Sequence, residues 1–187
     1  ADQQTTRDEL VAHVAELTSV IGVPLSVDGE RLFPDDEGGI AETVRMLADA
    51  GAAGCSIEDY DPGAGAIVPL PAAVAAVREA ATACGRVGLV ITARAENVLY
   101  GVGGLDDAIE RLVAFREAGA EVLYAPGLTA ADDIARVVRE VGAPVNVLAL
   151  PAAPPVAELA RLGVRRISTG GALQSTAYRA ARDQAQA

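Results

Sequence analysis

Residues 23–59, VPLSVDGERLFPDDEGGIAETVRMLADAGAAGCSIED, decide the fold. A short apolar run at 23–28 closes on Asp28 and Glu30. A helix is predicted over 38–50, and Gly51 sits where a helix stops and a left-handed residue is cheap. A second apolar run at 54–58 then closes on Glu58 and Asp59. Strand, helix and strand in that order make the unit of a parallel sheet.

The unit repeats in both directions. A helix is predicted at 6–20, with Thr5 or Thr6 as its cap. Beyond a Gly/Pro-rich loop at 60–69 come a helix at 70–84 and a strand at 88–94. A loop holding Gly101, Gly103 and Gly104 precedes a helix at 105–118. Strand 121–125, helix 129–141, strand 145–149, helix 154–162, strand 164–168 and helix 171–184 complete the pattern. The joints ADAGAAGCSI, REAGAEVLY, REVGAPVNV and ARLGVRRIS repeat one device: Gly51, Gly119, Gly142 and Gly163 each end a helix before a strand. The six strands are near-continuous apolar runs, as expected of a sheet covered on both faces. This predicts a (β/α) barrel or a doubly wound sheet. A closed eight-stranded barrel takes about 250 residues. The sequence has 187 and opens on a helix, so the options are an open six-stranded sheet or a barrel without two amino-terminal βα units.

Composition narrows the functional classes. One domain is the natural expectation at this length. Apolar residues reach 51% but aromatics only 3%, so the core must be built from Ala, Val, Leu and Ile. No apolar run approaches the roughly 20 residues of a membrane span, and no basic, apolar leader opens the sequence. The net charge of -11 argues against nucleic acid as a partner. All 15 basic residues are arginine, which excludes lysine Schiff-base chemistry and a lysine phosphate anchor. Cys55 and Cys84 have no metal-type spacing and read as reduced, cytoplasmic thiols. His13, the only histidine, lies on a predicted helix, which disfavours a Ser-His-Asp system.

Four strands end in polar residues: Asp28 with Glu30, Glu58 with Asp59, Arg94, and Asn146. In a parallel α/β protein the carboxyl ends of the strands meet on one face, where ligands bind. Three carboxylates and a guanidinium gathered there point to a hard divalent cation beside an anionic substrate. Asp28 and Glu30 are expected on the same strand face, because alternate residues share a side. Glu96 and Asn97 are candidates for the mouth of the site. Asp59 has a plain alternative as a helix cap or turn residue, and Asn146 as a backbone partner. Thr169-Gly170-Gly171 opens the last helix, either as an anion site or as a simple joint. The pairs Asp35-Asp36 and Asp132-Asp133 read as solvated helix caps.

The stretches VPLSVDGE, GIAETVRMLADAGAAGCSIED, VITAR, EAGAEVLYAPGL, PVNVLA and VAELARLGVRRISTGGAL occur in that order. Together they resemble the isocitrate lyase / phosphoenolpyruvate mutase superfamily over nearly the whole sequence, and most of all its small members related to 2-methylisocitrate lyase, oxaloacetate decarboxylase and phosphonopyruvate hydrolase. The resemblance implies an α/β fold of the (β/α)8 TIM-barrel family, with six strands, the third to the eighth, and flanking helices. It implies one partial barrel domain over 1–187, without the amino-terminal part that carries a serine-containing substrate loop and a further metal-shell aspartate. It assigns Mg²⁺, with Mn²⁺ as a substitute, to Asp28, Glu30 and Glu58. Arg94 would grip a substrate carboxylate or phosphonate, and Asn146 would contribute to the substrate end of the pocket. The implied chemistry is that of a lyase or decarboxylase on a small 2-oxo or 2-hydroxy (di)carboxylate or phosphonate, with metal charge stabilising an enolate. A homo-oligomer is implied too, with the C-terminal helix, 171–187, exchanged between subunits.

Two departures qualify that picture. Small members continue Asn-Gly-Tyr/Phe-Gly after the acidic pair, where this sequence has Arg31-Leu32-Phe33-Pro34. The lyases carry a Lys-Lys/Arg-Cys-Gly-His loop after the fourth strand, where this sequence has YDPGAGAIVPL without Lys, Cys or His. A non-catalytic degenerate barrel, or a structural or split-enzyme partner, is therefore the alternative expectation.

Overall fold

The computed structural model describes residues 5–186. Strands β1 (Ser26–Val27), β2 (Gly54–Glu58), β3 (Tyr60–Asp61), β4 (Ala66–Ile67), β5 (Val90–Arg94), β6 (Val122–Tyr124), β7 (Val145–Leu148) and β8 (Arg166–Ser168) alternate with seven described helices. These are α1 (Arg7–Val20), α2 (Gly39–Asp49), α3 (Leu70–Val87), α4 (Leu105–Glu117), α5 (Ala131–Val141), α6 (Val156–Arg161) and α7 (Ala172–Ala185). Six strands form one parallel sheet in the order β1-β2-β5-β6-β7-β8. The alternation expected from sequence is present throughout. The predicted 60–69 loop instead contains a small antiparallel hairpin, β3 against β4.

The sheet is curled into a half-barrel. Laid flat, five inter-strand steps of about 4.8 Å would separate its first and last strands by roughly 24 Å. Arg166 Nη2 of β8 nevertheless donates to Ser26 Oγ of β1 at 3.2 Å, and Nη1 to Thr92 Oγ1 of β5 at 2.6 Å.

Side-chain alternation divides the two faces of the sheet. Val27, Cys55, Ile57, Ile91, Ala93, Leu123, Val145 and Val147 are buried in the single hydrophobic core, together with the apolar faces of the helices. Ser26, Ser56, Thr92, Asn146 and Arg166 occupy the alternate positions and line the inner hollow. The sheet is covered on both faces, as expected, but its inner face is polar, and the strands are too short for these inward residues to stand out from the apolar ones in sequence. Helix ends follow their local signals. Thr6 makes a full capping box with Glu9, and Gly142 closes α5 in the left-handed conformation. α7 buries none of its residues. Among the described residues no helix is long and apolar enough to cross a membrane.

Candidate active site

The register brings Glu58, Arg94, Tyr124, Asn146 and Arg166 into one row across five adjacent strands. Arg94, Tyr124, Asn146 and Arg166 line a cleft of about 320 Å³ inside the half-barrel; Glu58 and Arg94 end their strands, whereas Arg166 opens β8.

Arg94 is the hub. Its Nη1 donates to both carboxylate oxygens of Asp28, at 3.0 and 3.1 Å. Its Nη2 lies 3.2 Å from Glu58 Oε2, and its Nε donates to Glu96 Oε1 at 2.7 Å. The guanidinium also sits over the Tyr124 ring, 5.5 Å from its centroid. Three carboxylates thus share one cation. Burial pushes the Glu58 carboxyl up to about 7; Arg94 opposes the shift, while Glu96, Asp28 and Glu30 add to it. Burial likewise raises Glu96 against the pull of Arg94. Burial works against the charge on Arg94, yet its acids hold the guanidinium above its ordinary range.

Asp28 is the exposed member, with 68% of its side chain accessible. Ser56 Oγ donates to its Oδ1 at 3.1 Å and accepts from the Gly29 amide at 3.3 Å. Glu30 does not share a strand face with Asp28 as the alternation predicted. β1 ends at Val27, and Glu30 stands in a tight turn with φ +46°. Its carbonyl accepts the Glu58 amide at 2.8 Å. Leu32 and Phe33 also take positive φ, +57° and +50°. The turn therefore keeps a glycine-like shape on non-glycine residues, a strain of about 1–2 kcal/mol per residue. The complete burial of Leu32 holds it in place.

Asp59 and Glu96 are the residues whose roles the sequence reading missed. Asp59 is no helix cap. It is buried, accepts the Glu96 amide at 2.7 Å and pairs with Arg111 Nη1 at 3.0 Å. The same Nη1 donates to the Val68 carbonyl at 3.0 Å, tying α4 to the hairpin. Asn97, expected at the mouth, is fully buried and donates to Asp107 at 2.9 Å. Asn146 is buried and donates to Ser168 Oγ at 3.0 Å, while its Oδ1 has no protein partner. A strand ending in Arg-Ala-Glu was the available signal for Glu96. Arg166 carried no signal, because strand 164–168 ends beyond it.

Among the described residues no three His, Cys, Asp or Glu side chains form a ready-made metal cage. The donor set still fits a hard cation. It offers carboxylate oxygens in excess of positive charge and one exposed acid, and Mg²⁺ takes one or two carboxylates while retaining water.

A curled parallel sheet with charged groups converging at its carboxyl ends defines a (β/α)-barrel-type ligand site. The chain belongs to the phosphoenolpyruvate mutase / isocitrate lyase superfamily, as the resemblance implied: the family model described as phosphoenolpyruvate phosphomutase matches residues 1–187. The 2-methylisocitrate lyase of Escherichia coli (strain K12) is 36% identical over 133 residues, 67% of this chain and 44% of that protein. The oxaloacetate decarboxylase of Paraburkholderia xenovorans (strain LB400) is 31% identical over 191 residues, 97% of this chain and 62% of that protein. The crystal structure of a candidate lyase/mutase from Burkholderia cenocepacia J2315 superposes with a TM-score of 0.90 at 45% identity, covering 98% of this chain and 68% of that one. The chain thus spans between 44% and 62% of the length of the two curated relatives.

Proposed function

We propose that this chain forms the charged face of a Mg²⁺-dependent lyase or decarboxylase, one that Mn²⁺ would also serve. Its substrate would be a small 2-oxo or 2-hydroxy carboxylate, dicarboxylate or phosphonate. One observation carries the reading: at the strand ends Asp28, Glu58 and Glu96 all converge on Arg94. Asp28, Glu58 and Glu30 would hold the cation. Withdrawal of Asp28 and Glu58 from the guanidinium frees Arg94 Nη1 and Nη2 as a fork for a substrate carboxylate, while Glu96 keeps Nε aligned. Asn146 would present its unpaired Oδ1, or its amide after rotation, to the substrate. When bound, the ion supplies positive charge where an oxyanion develops. We further propose a single partial barrel domain that works as a homo-oligomer, with α7 as the exchanged element.

A second reading has its own support. The β3–β4 hairpin occupies the position of the loop that carries Lys, Cys and His in the lyases, and it has none of these residues. A non-catalytic barrel would keep the acid–arginine cluster only as structure.

Calorimetric titration of Mg²⁺, with and without oxalate as an enolate mimic, separates the two. Oxalate-dependent metal binding that disappears in Asp28→Ala is the outcome for an enzyme site. Absence of binding in the wild-type chain would favour the structural reading.

A further inference from the structure

The cleft contains a second arginine that is held quite differently from the first. Arg166 is half-buried on the inner face of β8. Its two described contacts are neutral: Nη1 donates to Thr92 Oγ1 at 2.6 Å and Nη2 to Ser26 Oγ at 3.2 Å. No acid of the described residues lies within ion-pair distance of it. Arg94, by contrast, is shared among three acids. A guanidinium has five N–H donors in a fixed fork, so two hydroxyls leave Arg166 with both charge and donors to spare. Held directly only by hydroxyls in a partly desolvated hollow, the guanidinium keeps donors that an anionic ligand can take.

The position sets the length of that ligand. Thr92 and Arg94 are two residues apart on one face of β5, roughly 7 Å along the strand. Arg166 therefore grips the cleft floor about one layer below the Asp28–Arg94–Glu58 cluster, with Asn146 and Leu148 of β7 lining the wall beside it. A backbone of roughly four carbon atoms, at ~1.5 Å per bond, bridges the two levels.

We propose that Arg166 is a specificity-determining residue that receives the distal carboxylate of a four-carbon-class dicarboxylic acid, whose oxo or hydroxy end lies at the Asp28–Arg94 cluster. This rests on the reading of the cleft as a site for small oxo or hydroxy acids. It adds a prediction that the reading alone does not make: preference for a dianion with separated carboxylates.

The test compares malate with lactate, which share a 2-hydroxycarboxylate end and differ in the distal carboxylate. Oxalate, whose carboxylates are adjacent, is the control. All are titrated calorimetrically with Mg²⁺ present into wild type, Arg166→Gln and Arg166→Lys, and melting temperatures are recorded. In wild type, malate is expected to bind at least tenfold more tightly than lactate. Arg166→Gln should abolish that preference while leaving oxalate within about twofold, and Arg166→Lys should retain part of it. Where Arg166→Gln does not fold, Arg166→Lys carries the comparison, with a reduced malate preference and unchanged oxalate binding expected. An undiminished preference in a folded Arg166 variant overturns the proposal and leaves the cleft reading intact. An equal loss of all three ligands with a lowered melting temperature makes Arg166 a strut and also overturns it. Wild type that binds none of the three, oxalate included, fails the cleft reading itself, and the proposal with it.

Discussion

At the scale of single residues, Glu58 shows how burial and charge compete. Its ordinary carboxyl value is 4.5, and in the folded chain it is pushed up to about 7, chiefly by burial. The folded state therefore holds the Glu58 proton more tightly than the unfolded state. That contribution to stability is complete below pH 4.5 and is lost as pH rises towards about 7. Urea unfolding in EDTA across this window should show the wild-type midpoint falling relative to Glu58→Gln, in which that part of the slope is absent. Gly29 gives a steric case. A Cβ at this position would stand 2.5 Å from Leu32 Cδ2 and 2.6 Å from the Ser56 carbonyl oxygen. The backbone oxygen cannot yield cheaply, so Gly29→Ala should cost about 1–3 kcal/mol by overpacking. Chemical denaturation measures that loss. Because Gly29 adjoins Asp28, Mg²⁺ binding should weaken with it.

At the scale of elements, the loop that follows β5 is fixed from behind. Asp59 receives the Glu96 amide on one oxygen and Arg111 on the other, and Glu96 in turn holds Arg94. α4 is thus coupled to the cleft through Arg111, although Arg111 does not line it. Removing Arg111 leaves Asp59 charged and buried, a loss typically of about 3–5 kcal/mol. Arg111→Met is expected to destabilise by that order in thermal or urea unfolding, and Asp59→Asn in the same chain should recover part of it. The hairpin shows the limit of reading elements from composition. Gly63 and Gly65 mark a turn, but its strands are two residues each. They exist because Tyr60 stacks on Tyr100, 3.8 Å between centroids, and Arg31 reaches Asp61 at 3.4 Å. Both partners are distant in sequence.

At the scale of the whole molecule, α7 is the anomaly. Leu173 and Tyr178 are 71% and 69% exposed, and no residue of the helix is buried. An amphipathic helix without a covered face is a candidate for contact between copies. Light scattering should show a mass that rises with concentration, and the pair Leu173→Ser and Tyr178→Ser should reduce it. A mass that stays monomeric over the accessible range would contradict the proposed oligomer.

Much of this protein was determined locally. The alternation of helix and strand, the glycines Gly51, Gly119, Gly142 and Gly163 that follow α2, α4, α5 and α6, the Thr6 cap and the placing of Asp28, Glu58 and Arg94 at strand ends all follow from short-range pattern, because backbone conformation is set by neighbouring residues. The tertiary structure decided the rest. It turned Asp59 away from the cleft towards Arg111, moved Glu30 off its strand face, and gave Arg94 three acids from three segments. By curling the sheet it carried Arg166 across to Ser26, 140 positions away. Such pairings depend on which face of a strand looks inward and how tightly the sheet wraps. Both are fixed only when the outer face packs beneath the helices.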